Sequence, residues 1–149
     1  MAGWQIDRYG MSSPEQPEVI KLVDYKPPKF FITAIELEFN IDEEFTIVTS
    51  RLSCSRNSLI YEGNEPLILN GEDQTLLSLK HGSEQIGSSK YYLSEKLLTI
   101  PDVGSNFELE IITKIFPHKN KALEGLYLSD GMYCTQCEAE GFRPVSYTH

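Results

Sequence analysis

The 149-residue sequence contains no long apolar run. Nothing in it approaches the roughly 20 consecutive apolar residues that a membrane-crossing helix needs. Its first residues, Met1-Ala2-Gly3-Trp4-Gln5-Ile6-Asp7-Arg8, lack the apolar centre of a secretory signal and the arginine-rich, acid-poor character of a transit peptide. Cysteine is scarce and odd in number, at three. That excludes a disulfide framework and points to a reducing compartment, read here as cytoplasmic. Positive charge is also short: 13 Lys and Arg against 22 Asp and Glu leave a net charge of -9, with a pI near 4.8. Nucleic acid and an anionic membrane surface both require a basic face, so no nucleic acid and no membrane is expected as a partner. A cationic partner, such as a free amino terminus, is compatible with the charge. Helical periodicity, internal repeats and low-complexity tracts are missing as well, which excludes a helical bundle or a solenoid.

What remains reads as strands. Gly10, Ser12, Ser13, Pro14 and Pro17 mark residues 1–23 as a flexible leader. Pro27 and Pro28 then hold the chain extended. Phe31 to Phe39 is a first strand, with Phe31, Thr33, Ile35, Leu37 and Phe39 on one face and Glu36 and Glu38 on the other. After the turn Asn40–Glu44, Phe45 to Cys54 is a second, rich in β-branched residues. Short strands follow at Leu67–Leu69 and Leu76–Lys80, ended by Asn70-Gly71 and His81-Gly82. Tyr91–Leu93 and Leu97–Ile100 form a small hairpin closed by Pro101. Asn106 to Phe116 is the longest alternating strand, with Phe107, Leu109, Ile111 and Ile115 on its apolar side. Leu126–Leu128 and Met132–Cys137 make a last hairpin around Ser129-Asp130-Gly131, where Asp-Gly is a strong turn signal. The fold class is all-β and mostly antiparallel, with eight or nine strands in one domain over 24–149.

Chemistry is thinly marked. Cys134-Thr135-Gln136-Cys137 has C-x-x-C spacing, but no second ligand pair accompanies it, and Cys54, His81, His118 and His149 stand at unmatched spacings. Residues i and i+3 of a strand point to opposite faces, which disfavours a local disulfide. These cysteines therefore read as ordinary thiols, with no metal site. No His-Glu-x-x-His, nucleophile elbow or phosphate loop is present, and no catalytic residue is assigned. Glu138 and Glu140 would share a face if their strand continued; a glycosidase pair would instead span a cleft between two elements. Asp42-Glu43-Glu44 and Glu72-Asp73 read as solvated turns. The stretch Tyr133 to Arg143 stands apart, because Gln136, Glu138 and Glu140 interrupt a strand-like run that Gly141 closes. An amide and a carboxylate at a strand end can both accept hydrogen bonds from an ammonium group. A solvated strand-to-turn junction is the plainer alternative.

Four blocks carry a family resemblance. Thr135-Gln136-Cys137-Glu138-Ala139-Glu140-Gly141-Phe142-Arg143 resembles the Q-x-E-A-x-G-F-R segment of zinc aminopeptidases of the aminopeptidase N family. Ala122-Leu123-Glu124-Gly125-Leu126-Tyr127 is similar to that family's A-L-E-G-L-Y turn. Asp24-Tyr25-Lys26-Pro27-Pro28 resembles its D-Y-x-x-P opening, and Leu67-Ile68-Leu69-Asn70-Gly71-Glu72-Asp73 its L-x-L-N-G-E-D loop. The blocks occur in the family's order. Pro144 departs from the pattern, at a place usually basic or polar, while Val145-Ser146-Tyr147 resembles the family's Ile-Thr-aromatic strand.

The resemblance implies a sandwich-like N-terminal β-domain that packs over a separate catalytic domain of a metallopeptidase. It implies that the zinc cofactor of the full-length family enzyme is held in that catalytic domain and not by this chain. It implies that Gln136 lines the pocket for the first side chain of the substrate, a peptide with a free amino terminus, and that Glu138 binds the α-ammonium group. The last residue, His149, precedes the place of the family's D-R-P-D element. The chain is accordingly expected to be the leading fragment of an aminopeptidase, inactive alone, with unpaired sheet edges that invite association. The alternative is a free-standing β-domain acting as a binding or regulatory module.

Overall fold

A computed structural model describes residues 21–148 apart from 61, 62, 64 and 139. The leader expected over residues 1–23 lies outside that range except at its end, where Leu22–Asp24 form one turn of 3-10 helix. Ten strands follow: β1 (Phe30–Ile41), β2 (Thr46–Arg56), β3 (Leu67–Asn70), β4 (Thr75–His81), β5 (Glu84–Gln85), β6 (Tyr92–Leu93), β7 (Leu97–Ile100), β8 (Asn106–Ile115), β9 (Gly125–Ser129) and β10 (Met132–Gln136). The strands expected between Phe31 and Cys137 are all present. The addition is β5, whose two polar residues carry no alternation to read.

Strict alternation places β2 and β8 at the centre. Thr46, Val48, Ser50, Leu52 and Cys54 are buried on β2, and Phe107, Leu109, Ile111, Thr113 and Ile115 on β8. The two strands pair antiparallel, with Thr46 opposite Ile115 and Ser55 opposite Asn106. They sit inside a five-stranded sheet of order β1-β2-β8-β4-β5, in which every neighbour is antiparallel. The small antiparallel sheet β3-β7-β6 covers its inner face. Leu67, Leu69, Leu98 and Ile100 from the small sheet join Leu52, Leu79, Leu109 and Ile111 from the large one in the principal core. Each such leucine or isoleucine contributes about 1.5–3 kcal/mol on burial, so this two-layer body carries most of the stability.

On the outer face charges replace the apolar side chains. Glu36, Arg51, Glu110 and Lys80 lie opposite one another in register across β1, β2, β8 and β4. Arg51 reaches Glu36 at 3.2 Å and Glu110 at 3.2 Å, and Lys80 reaches Glu110 at 2.7 Å. This face is built to meet water.

Three sequence expectations need correction. A bulge on β1 between Ile32 and Ala34 shifts the strand's phase. Phe30 and Ile32 thus share the inner face with Ile35, Leu37 and Phe39, whereas Phe31 and Thr33 leave the stripe assigned to them. Val145-Ser146-Tyr147 is buried but is not a strand; Tyr147 packs into the core with Leu67 and Leu69, and among the described residues the tail's one β-bridge is that between Asn70 and Thr148. Glu138 and Glu140 do not continue a strand, because β10 stops at Gln136 and the chain turns.

Candidate functional site

The site grows from the β9–β10 hairpin. Asp130 and Gly131 both adopt left-handed backbone, with φ of 49° and 78°, which is the turn geometry that matches strand twist. The turn fixes the register: Met132 lies opposite Ser129, and Gln136 opposite Gly125. A two-stranded ribbon is marginal by itself, and this one is held at three points. At its tip the Tyr133 hydroxyl donates to the Asp42 carbonyl at 3.0 Å. In its middle Leu126 packs with Val48 and Ile115. At its base Gly125 is wedged against the following turn. A Cβ there would lie 2.9 Å from Val145 Cγ2, 3.1 Å from Pro144 Cγ and 3.2 Å from the Gly141 carbonyl oxygen. Asn120 closes the loop leading into β9, its Nδ2 donating to the Glu124 and Leu126 carbonyls at 2.6 and 3.0 Å.

Beyond Gln136 the chain doubles back. The Gly141 N–H donates to the Glu138 carbonyl at 3.0 Å, and the Arg143 N–H to the Glu140 carbonyl at 3.0 Å. Gly141 has no room for a side chain, because a Cβ would sit 2.7 Å from the Gln136 carbonyl oxygen. The turn therefore brings Gln136 and Glu138 to the same end of the hairpin, both exposed. Among the described residues neither side chain has a hydrogen-bond or ion-pair partner. Glu140 differs, since Arg143 Nη1 holds its carboxylate at 2.7 Å. Among the described residues the uncompensated groups at this end are thus one amide and one carboxylate, a set that can accept hydrogen bonds from an ammonium.

Exposure limits what the pair achieves by itself. An ion pair in open water is worth about 0–1 kcal/mol, so firm binding of a cation here requires a second surface that excludes water. The nearby pocket of about 440 Å³, lined by Glu72, Asp73, Lys119, Lys121, Glu124 and apolar residues, includes neither Gln136 nor Glu138.

The remaining candidates are occupied or isolated. His81 stacks on Phe107 at 5.7 Å, and its Nε2 lies 3.2 Å from the Val103 carbonyl oxygen. Cys54 is buried, and burial pushes its thiol up to about 11. Cys134 and Cys137 are unpaired, and burial raises the pKa of Cys137. Among the described residues no three His, Cys, Asp or Glu side chains are grouped as a metal would require. These residues do not fit a zinc ion.

Sequence reasoning missed the support beneath the turn. The Glu72 N–H donates to the Arg143 carbonyl at 3.0 Å, Gln74 Nε2 donates to the same oxygen at 3.1 Å, and Asn70 and Thr148 exchange backbone hydrogen bonds of 2.6 and 2.9 Å. The Glu72-Asp73 pair read as a solvated turn belongs to a brace in which the Glu72 backbone, not its charge, holds Arg143. Nothing in periodicity signals that.

No family model matches the chain. It is 39% identical over 133 residues to Aminopeptidase N of Caulobacter vibrioides, covering 89% of this chain and 15% of that protein. It is 41% identical over 133 residues to Aminopeptidase N of Escherichia coli, with the same coverage of 89% and 15%. Among solved structures it superimposes on Legionella pneumophila aminopeptidase A in complex with aspartic acid, with a TM-score of 0.79 and 27% identity, over 87% of this chain and 15% of that one. A Deinococcus radiodurans M1 zinc metallopeptidase mutant bound to a Tyr-ser-ala substrate shares the fold, with a TM-score of 0.63 and 11% identity over 80% of this chain and 29% of that one. The chain thus spans about 15% of the length of the curated relatives it matches.

Proposed function

This chain is homologous to the N-terminal region of the aminopeptidase N family, and we propose that it serves a zinc metallo-aminopeptidase by receiving the free amino terminus of peptide substrates. The observation that carries this reading is the arrangement of the hairpin end: Gln136 and Glu138, two residues apart, are exposed and unpartnered among the described residues, on a turn braced from behind by Glu72 and Gln74. Glu138 supplies the anion for the α-ammonium group, and the Gln136 amide faces the first residue of the peptide. A blocked amino terminus carries no charge for Glu138 and binds more weakly.

The chemical step lies elsewhere. The sequence has no His-Glu-x-x-His, and the described residues do not fit zinc. In this reading the metal of the family's full-length enzymes is held by a separate catalytic portion. Water exclusion, which the exposed pair needs, comes in this reading from the catalytic portion closing over the hairpin end. Three thiols without disulfide partners suit a reducing compartment, and the cytosol is the location proposed.

The experiment is to purify the native gene product and measure its mass, its zinc content and its hydrolysis of an alanyl substrate. A zinc-bearing, active product far heavier than 17.0 kDa supports the reading. Glu138→Gln should then raise KM for substrates with a free amino terminus by about tenfold, as expected for the loss of a charge-assisted contact. A folded, metal-free and inactive product of 17.0 kDa would overturn it in favour of a free-standing binding module.

A further inference from the structure

We propose that Gln74, seated on the Asn70–Asp73 loop, is a positioning residue for Glu138; the inference rests on the amino-terminus reading above. Glu138 has no side-chain partner among the described residues, so its location is set by its backbone alone. That backbone belongs to a turn whose far side is gripped by the 70–74 segment. Two donors, the Glu72 N–H at 3.0 Å and Gln74 Nε2 at 3.1 Å, converge on the single carbonyl of Arg143. From Arg143 the chain of contacts runs forward. Its N–H donates to the Glu140 carbonyl at 3.0 Å and its guanidinium holds the Glu140 carboxylate at 2.7 Å. The Gly141 N–H, one residue on, donates to the Glu138 carbonyl at 3.0 Å.

The seat for Gln74 is closely fitted. A Cβ at Gly71 would lie 2.2 Å from Gln74 Nε2 and 2.5 Å from the Tyr147 ring. Any residue but glycine at 71 would displace the amide or the ring. Gln74 Oε1 is buried without a hydrogen-bond partner, an arrangement that opposes stability. Turning the amide over would aim that oxygen at the Arg143 carbonyl, so donation to Arg143 fixes the orientation and leaves the oxygen bare. Gln74 thus commits its N–H to the Arg143 carbonyl, and that contact fixes where the turn sits.

The test compares Gln74→Met, which keeps shape and removes the N–H, with Glu138→Gln in the native gene product. Two quantities are read: kcat and KM on an alanyl substrate, and inhibition by alaninamide relative to N-acetylalaninamide. Gln74→Met should raise KM about fivefold with kcat nearly unchanged, and should reduce the preference for the free amine by the same factor, as expected for one hydrogen bond acting through position. Amide exchange of Gly141 should quicken about tenfold, with β2 and β8 amides unaltered. Equal weakening of both inhibitors, or an unchanged Gly141 exchange rate, would overturn the inference. If Glu138→Gln itself leaves the free-amine preference intact, the amino-terminus reading fails, and the positioning role of Gln74 is then judged by Gly141 exchange alone.

Discussion

Replacing Gly125 by alanine separates two effects that the fold places at one residue. Its φ of 69° is left-handed, which disfavours an L side chain by about 1–2 kcal/mol. Its missing Cβ would lie 2.9 Å from Val145 Cγ2 and 3.2 Å from the Gly141 carbonyl oxygen. Val145 is buried and Gly141 contributes backbone, so neither can yield freely, and crowding of this kind adds about 1–3 kcal/mol. The sum is about 3 kcal/mol. At roughly 3 °C per kcal/mol for a chain of this size, that is a fall of about 10 °C in Tm. Gly131 is the control: its φ is 78°, yet a Cβ there meets nothing within 4 Å. Gly131→Ala should lose only the backbone contribution, about 1 kcal/mol or 3 °C. Urea melts and thermal unfolding by circular dichroism on both variants measure the difference. If Gly125→Ala proves no more destabilising than Gly131→Ala, the close packing of the hairpin base against the 141–145 turn is refuted.

Other perturbations reach separate parts of the structure. Hydrogen bonding from Lys80, aided by Arg51, lowers the pKa of Glu110. Its stabilisation is therefore present at neutral pH and lost as pH falls through its depressed folded value, and Glu110→Gln should flatten the acid limb of stability against pH. The Cys54 thiol is raised to about 11 by burial. It should resist a thiol reagent at pH 8 while Cys134 and Cys137 react, and its contribution to stability should fade as pH climbs toward that value; mass spectrometry after labelling gives the count. Asn120→Ala removes both hydrogen bonds that close the loop before β9 and should lower stability by about 1–3 kcal/mol in urea titration, with Asn120→Asp no better because a carboxylate cannot donate.

The strands were legible because period-two alternation is a strong signal where one face is buried. β8 announces its inner face through Phe107, Leu109, Ile111 and Ile115, β2 announces only its β-branched content, and Asp130-Gly131 announces its turn. The bulge near Thr33 was not legible, since one extra residue on an edge strand leaves the local composition unchanged and alters only the phase. Gln136 and Glu138 were singled out through motif resemblance; their chemistry marked them as able to bind an ammonium but did not distinguish them from a solvated turn. The brace from Gln74 to Arg143 was invisible. It depends on a carbonyl accepting from a side chain 69 positions away, and no local pattern encodes where a backbone oxygen will point.

The pairing of β2 with β8 also bears on the order in which the molecule can form. Thr46 to Ser55 must wait for Asn106 to Ile115, so the central ladder closes a long loop, and such closures fold slowly. During synthesis β1 and β2 leave the ribosome first and hold an unpaired central edge until β8 emerges. The Gln136–Gly141 turn comes later still, and its brace joins Asn70 to Thr148 at the end of the sequence. Under the proposed function an amino terminus is received only after that joint is made, so the hairpin end matures later than the β2–β8 ladder.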